Sequence, residues 1–66
     1  MNYEIGDRFK NTFGTIWKVT AFVGGKVEIC SYLPGQECPH EYYYFRAEVL
    51  DKLLRDNLYS KMTEVA

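Results

Sequence analysis

The stretch 14–33 constrains the fold most, because it fixes its own strand register. Two runs of β-branched and aromatic residues flank Gly24-Gly25. In the first, Trp17, Val19, Ala21 and Val23 alternate with Lys18, Thr20 and Phe22. In the second, Val27, Ile29, Ser31 and Leu33 alternate with Glu28, Cys30 and Tyr32. Period-2 alternation marks half-buried strands, and a glycine pair between two such runs marks a hairpin. Loop length then decides which faces meet. A two-residue loop pairs Val23 with Lys26 and Ala21 with Glu28, setting an apolar set against a polar one. A three-residue loop pairs Val23 with Val27 and Ala21 with Ile29. A one-residue slip turns every side chain to the other face. Parity therefore selects the odd loop or an equivalent β-bulge. The expected core face is Trp17, Val19, Ala21, Val23, Val27, Ile29 and Leu33. Ile16, Phe22 and Tyr32 then point outward, among Lys18, Thr20, Glu28 and Cys30.

The flanks read in the same terms. Tyr3, Ile5 and Phe9 surround the turn dipeptide Gly6-Asp7, giving a short first strand at 7–10 and a loop at 11–14. Pro34-Gly35 suits a type II turn, because proline fixes φ and glycine supplies φ > 0. Pro39 keeps the following loop out of a ladder. Tyr42-Tyr43-Tyr44-Phe45 is a run of strong β formers. Ala47 continues the set of Tyr43 and Phe45, so these face the core and Tyr42 and Tyr44 face outward. From Ala47 the period changes. Leu50, Leu53, Leu54 and Leu58 share one helical face, opposite Asp51, Lys52, Arg55 and Asp56. The expected helix covers about 48–60, with Glu48 and Asp51 near its start and Arg55 further on, as the macrodipole favours. The tail from Tyr59 to Ala66 frays or docks on a partner.

Sixty-six residues make a single domain, 1–66, with a barrel at about 3–47 before the helix. A chain this short buries only roughly 60% of its unfolded surface. Four or five short antiparallel strands must curl to bury both ends. The expected fold is mainly β with a C-terminal helix, a strongly curled antiparallel sheet or open barrel, the helix plugging one end or covering an edge. The pattern Ile5-Gly6-Asp7-Arg8-Phe9, then Gly14-Thr15-Ile16-Trp17-Lys18-Val19, then a glycine hairpin resembles small SH3-like barrel proteins of bacteria and bacteriophages. The resemblance spans residues 5–54. It implies a fold and carries no binding residues with it.

Charge and cysteine content narrow the function classes. Eight basic and nine acidic side chains give a net charge of −1, which supplies no footprint for non-specific binding to phosphate backbones or anionic membranes. No apolar run is long enough to span a bilayer, and Met1-Asn2-Tyr3-Glu4 lacks the features of a signal peptide, so a cytoplasmic protein is expected. Two cysteines make no disulfide framework, and Cys30 and Cys38 are expected to stay reduced there. Cys30, Cys38 and His40 are the sole soft-metal candidates, one ligand short of a tetrahedral zinc site even before spacing is considered. Glu37 or Glu41 would have to complete it. No metal or cofactor is expected. One histidine near a cysteine in sequence lacks the third, orienting group of a nucleophilic site, and no phosphate loop or paired carboxylates stand elsewhere. An enzyme is not expected.

The aromatic content points elsewhere. Six tyrosines, four phenylalanines and one tryptophan exceed what so small a core holds. Outward aromatics with charged neighbours have the anatomy of a protein-binding surface. The expected surface is Phe22, Tyr32, Tyr42 and Tyr44, with Lys18 and Arg46 at its rim, acting on another protein. By analogy of size and fold this is a phage or mobile-element modulator of a host machine. An alternative is a small nucleic-acid-binding barrel in which Trp17, Tyr32, Tyr42 and Tyr44 stack on bases beside Arg8, Lys10, Lys18 and Arg46. The plainer assignment for Trp17 is core packing. A third reading is a self-associating structural component, pairing through an edge strand or the C-terminal segment.

Overall fold

Two glycines in the left-handed region, Gly24 at φ +56° and Gly25 at φ +78°, make the hairpin turn. That is the signature of a two-residue type I′ loop, whose twist matches the strands it joins. In the computed structural model, which describes residues 3–62, the elements run β1 (Arg8–Lys10), β2 (Ile16–Val23), β3 (Lys26–Tyr32), β4 (Glu41–Phe45), α1 (Ala47–Asp56) and β5 (Ser60–Lys61). They form one antiparallel sheet in the order β4-β3-β2-β1-β5.

The parity conflict is resolved by a bulge and not by an odd loop. Val23 pairs with Lys26, Phe22 with Val27 and Ala21 with Glu28, yet Val19 pairs with Ile29. Thr20 is the extra residue, and its hydroxyl donates to the Glu28 carboxylate at 2.7 Å. Val19, Val27 and Ile29 are all fully buried. The bulge corrects two expectations. Val23 and Ala21 leave the core face, and Val23 is half exposed. Phe22 does not point to the second face, because it shares a cross-strand row with buried Val27 and with Phe45. Leu33 lies beyond the strand and is also partly exposed.

The sheet stays open. Its edges, β4 and β5, do not meet, so of the expected curled sheet or open barrel the observed form is an antiparallel sheet that is not closed into a barrel. Closure is unnecessary because α1 covers the core face, where Leu50 and Leu54 join Tyr3, Phe9, Val19, Val27 and Ile29. The Tyr3 hydroxyl donates to Asp51 on α1, and its ring meets Phe9 edge-on. Burial and the adjacent carboxylate push its phenol well above the ordinary tyrosine value.

The helix ends a turn before residue 60. Leu58 adopts φ +59°, its N–H bonds the Arg55 carbonyl at 3.3 Å, and the Tyr59 N–H bonds the Leu54 carbonyl at 2.8 Å. This is a Schellman motif with leucine where glycine is usual. It leaves Leu58 exposed, not on the apolar stripe, and reverses the chain so that Ser60 and Lys61 pair with β1. It also returns Tyr59 to the sheet, where it stacks on Trp17 with centroids 4.7 Å apart. Tyr43 and Phe45 flank the same indole at 5.9 and 6.0 Å, as inward-facing residues of β4. The fraying expected from Tyr59 does not occur through Met62, because Tyr59 stacks on Trp17 and Ser60 and Lys61 pair with β1; positions 63–66 lie outside the described residues.

Candidate binding face

Strand alternation gives the side of the sheet away from α1 its own rows of side chains. Paired residues of adjacent strands share a face. Lys10, Ile16 and Tyr32 form one row, Arg8, Lys18, Cys30 and Tyr42 the next, and Ala21, Glu28 and Tyr44 a third. The cations gather toward β1 and β2, the tyrosines toward β3 and β4. Tyr42 and Tyr44 are 56% and 50% exposed.

The loop after β3 adds relief to this face. The Gln36 N–H bonds the Leu33 carbonyl at 3.1 Å with Gly35 at φ +76°, the turn expected of Pro34-Gly35. Pro34 comes within 3.4 Å of where a Gly14 Cβ would stand, so this loop abuts the β1–β2 loop and residue 14 has little room for a side chain. Gln36 and Glu37 then wall a cleft of about 290 Å³ with Arg8, Ile16, Lys18 and Tyr32.

Charged and polar neighbours perturb the aromatic side of the face. Hydrogen bonding with Cys30 pushes the Tyr32 phenol up, with smaller contributions from burial and from Cys30, Tyr42 and Cys38. The Glu28 carboxylate raises the Tyr44 phenol, and the hydroxyls of Thr20 and Tyr44 lower the Glu28 carboxyl. Cys30 itself is fully buried and Cys38 exposed, both as free thiols. Among the described residues no three His, Cys, Asp or Glu side chains come together to hold a metal. No helix of the described residues is long and apolar enough to cross a membrane.

Of the residues expected to form the surface, Lys18, Tyr32, Tyr42 and Tyr44 share this face. Arg46 follows Phe45 in extended backbone (φ −66°, ψ 153°), so alternation carries it to the side of Tyr42 and Tyr44. Phe22 stands apart: it is exposed, as expected, but from the core-side row at the hairpin tip. Trp17 belongs to the internal aromatic cluster. The cleft residues Gln36 and Glu37 carried no local signal, because a loop folding back over a sheet is a tertiary event. Arg8 was legible in principle, since the pairing of β1 with β2 sets it opposite Lys18.

No family model matches the chain, and no curated protein and no solved structure matches it.

Proposed function

We propose that this chain is a non-catalytic binding module that docks another protein on the sheet face opposite α1. One observation carries the reading. Tyr32, Tyr42 and Tyr44 lie together on that face, beside a cleft edged by Arg8 and Lys18. Tyrosine and arginine are enriched at interface hot spots because they combine large contact area with directional bonds. The half-exposed pair Tyr42 and Tyr44 contributes nothing to the core cluster, so packing alone does not account for it. The fold type we assign is SH3-like, and the setting a cytoplasmic modulator of a bacterial host machine, of phage or mobile-element kind. These rest on the resemblance of residues 5–54 and on free cysteines. The test is capture from the native source, then reconstitution with the purified partner, comparing wild type with the double variant Tyr42→Ala/Tyr44→Ala. Loss of binding in a variant that still melts cooperatively supports the reading. Unchanged binding refutes it.

A second reading has its own observation. Arg8, Lys10 and Lys18 gather on the same face as the tyrosines, an arrangement suited to single-stranded nucleic acid. Titration with single-stranded oligonucleotides at low and moderate salt separates the two. Salt-sensitive quenching of tyrosine emission belongs to the second reading alone.

A further inference from the structure

We propose that β4 pairs edge to edge with β4 of a second copy, joining two sheets into one across a two-fold axis at Tyr43. The pairing does not depend on what the tyrosine face binds. It does enlarge that face, because Tyr42 and Tyr44 of two chains then stand side by side.

The two edges of the sheet differ. β5 is two residues long and ends in Lys61, a short and charged edge of the kind that resists pairing. β4 runs for five residues, Glu41-Tyr42-Tyr43-Tyr44-Phe45, without a proline, a lysine or a bulge. Its single charge stands at the first position. Among the described residues no strand lies outside β4, and α1 packs over β3. An edge of strong β formers left open in this way is a template for another strand.

The ladder shows which backbone groups are open. The His40 N–H bonds the Ser31 carbonyl at 2.6 Å, so Ser31 turns its backbone toward β4. Alternation along β3 turns Ile29 and Val27 the same way. Their partners Tyr43 and Phe45 point back at β3, which directs the N–H and C=O of Tyr42 and Tyr44 outward.

Those groups choose the register. Antiparallel edges exchange hydrogen bonds only where outward residues oppose outward residues. Setting Tyr42 opposite Tyr44 of the second copy meets this and overlaps β4 along its whole length. Centring the pair on Tyr42 sets Pro39 opposite Phe45, and centring it on Tyr44 sets Ala47 of α1 opposite Glu41. In the full register Glu41 faces Phe45, so no like charges meet, and Tyr42 faces Tyr44 as an aromatic cross-strand pair. Such self-complementarity is what an isologous two-fold contact needs, and it is why the occupant is a second copy. The helices clear one another. From β3 to β3 of the second copy is three strand spacings, about 14 Å, against a helix diameter of about 10–12 Å.

The test uses the full chain made by chemical synthesis with a methyl group on the Tyr42 amide nitrogen. This removes an outward donor and leaves the β3–β4 ladder and every side chain in place. Sedimentation over a concentration series should show a monomer–dimer equilibrium in the unmodified chain. The methyl group should weaken it about thirty-fold or more, the size of the symmetry-related pair of hydrogen bonds it removes. In a mixture of isotope-labelled and unlabelled copies, Tyr43 Hα should contact Tyr43 Hα of the other copy, the close approach of a non-hydrogen-bonded antiparallel pair. Tyr42→Lys/Tyr44→Lys sets lysine opposite lysine across the seam, and it should be monomeric and melt cooperatively. A chain still monomeric at about 1 mM overturns the proposal. So does a dimer that neither the methyl group nor the lysines weaken, or one without the Tyr43 contact. Protection of the Tyr42 and Tyr44 amides from exchange only on addition of the reconstituted partner overturns it in favour of a strand of that partner.

Discussion

Deleting Thr20 from the middle of the longest strand should be tolerated. Thr20 is the one residue of β2 without a place in the register between Val19–Ile29 and Ala21–Glu28. Its removal leaves an uninterrupted ladder with Val19, Val27 and Ile29 still inward. The cost is the hydrogen bond to Glu28, about 1–1.5 kcal/mol for a partly exposed bond to a carboxylate. For a domain of this size that lowers Tm by about 4–12 °C. Deleting Ile29 provides the contrast. It removes a fully buried side chain, about 1.5–3 kcal/mol by transfer alone, and slips β3 against both β2 and β4. A slip carries Val27 or its neighbours to the wrong face, and the protein should not fold. Thermal unfolding by circular dichroism measures the cost, and a cross-strand NMR contact between Phe22 and Val27 reports the register. A Thr20 deletion that is as disruptive as the Ile29 deletion, or that folds without the Phe22–Val27 contact, would refute the bulge argument.

Leu58 offers a test at the helix end. At φ +59° a Cβ is strained by about 1–2 kcal/mol, which outweighs the extra unfolded-state entropy of glycine. Leu58→Gly should therefore be more stable than Leu58→Ala by about 0.5–1 kcal/mol in denaturant unfolding, the reverse of the order at an ordinary helical position. Glu28 titrates below the usual carboxylate value because the hydroxyls of Thr20 and Tyr44 favour its charged form. Its contribution is present above the ordinary carboxylate pKa and is lost as pH falls through the lowered one. The stability gap between wild type and Glu28→Gln should thus be widest near neutrality and shrink in acid. A strong chelator should leave the melting curve unchanged, whereas a fall in Tm would restore Cys30, Cys38 and His40 as a structural metal site.

The central hairpin was legible because alternation and a glycine pair are local. The need for either an odd loop or a bulge followed from parity. Which of the two did not, since a three-residue loop and a bulge satisfy parity equally well, and only the pairing of Val23 with Lys26 separates them. Phe22 was misplaced for that reason, being on the far side of Thr20. The helix was legible from its leucines, but its end was not. Leu58 continues the stripe in sequence, and nothing local announces that a leucine will take the left-handed position usually given to glycine. The inward choice of Tyr43 and Phe45 over Tyr42 and Tyr44 followed from Ala47 and agrees with their stacking on Trp17. Closure of the sheet is a long-range property, and no strand pattern distinguishes a barrel from an open sheet covered by a helix. The cleft depends on a loop folding back over Ile16 and Tyr32, which residue order alone does not encode.

The most direct test of the docking face is hydroxyl-radical footprinting of the chain with and without its reconstituted partner. The reading set out above expects protection of Tyr32, Tyr42 and Tyr44, with Val49 on α1 and the exposed Phe13 labelled equally in both states. Protection confined to Val49 or Phe13, with the three tyrosines labelled as in the free protein, would contradict it.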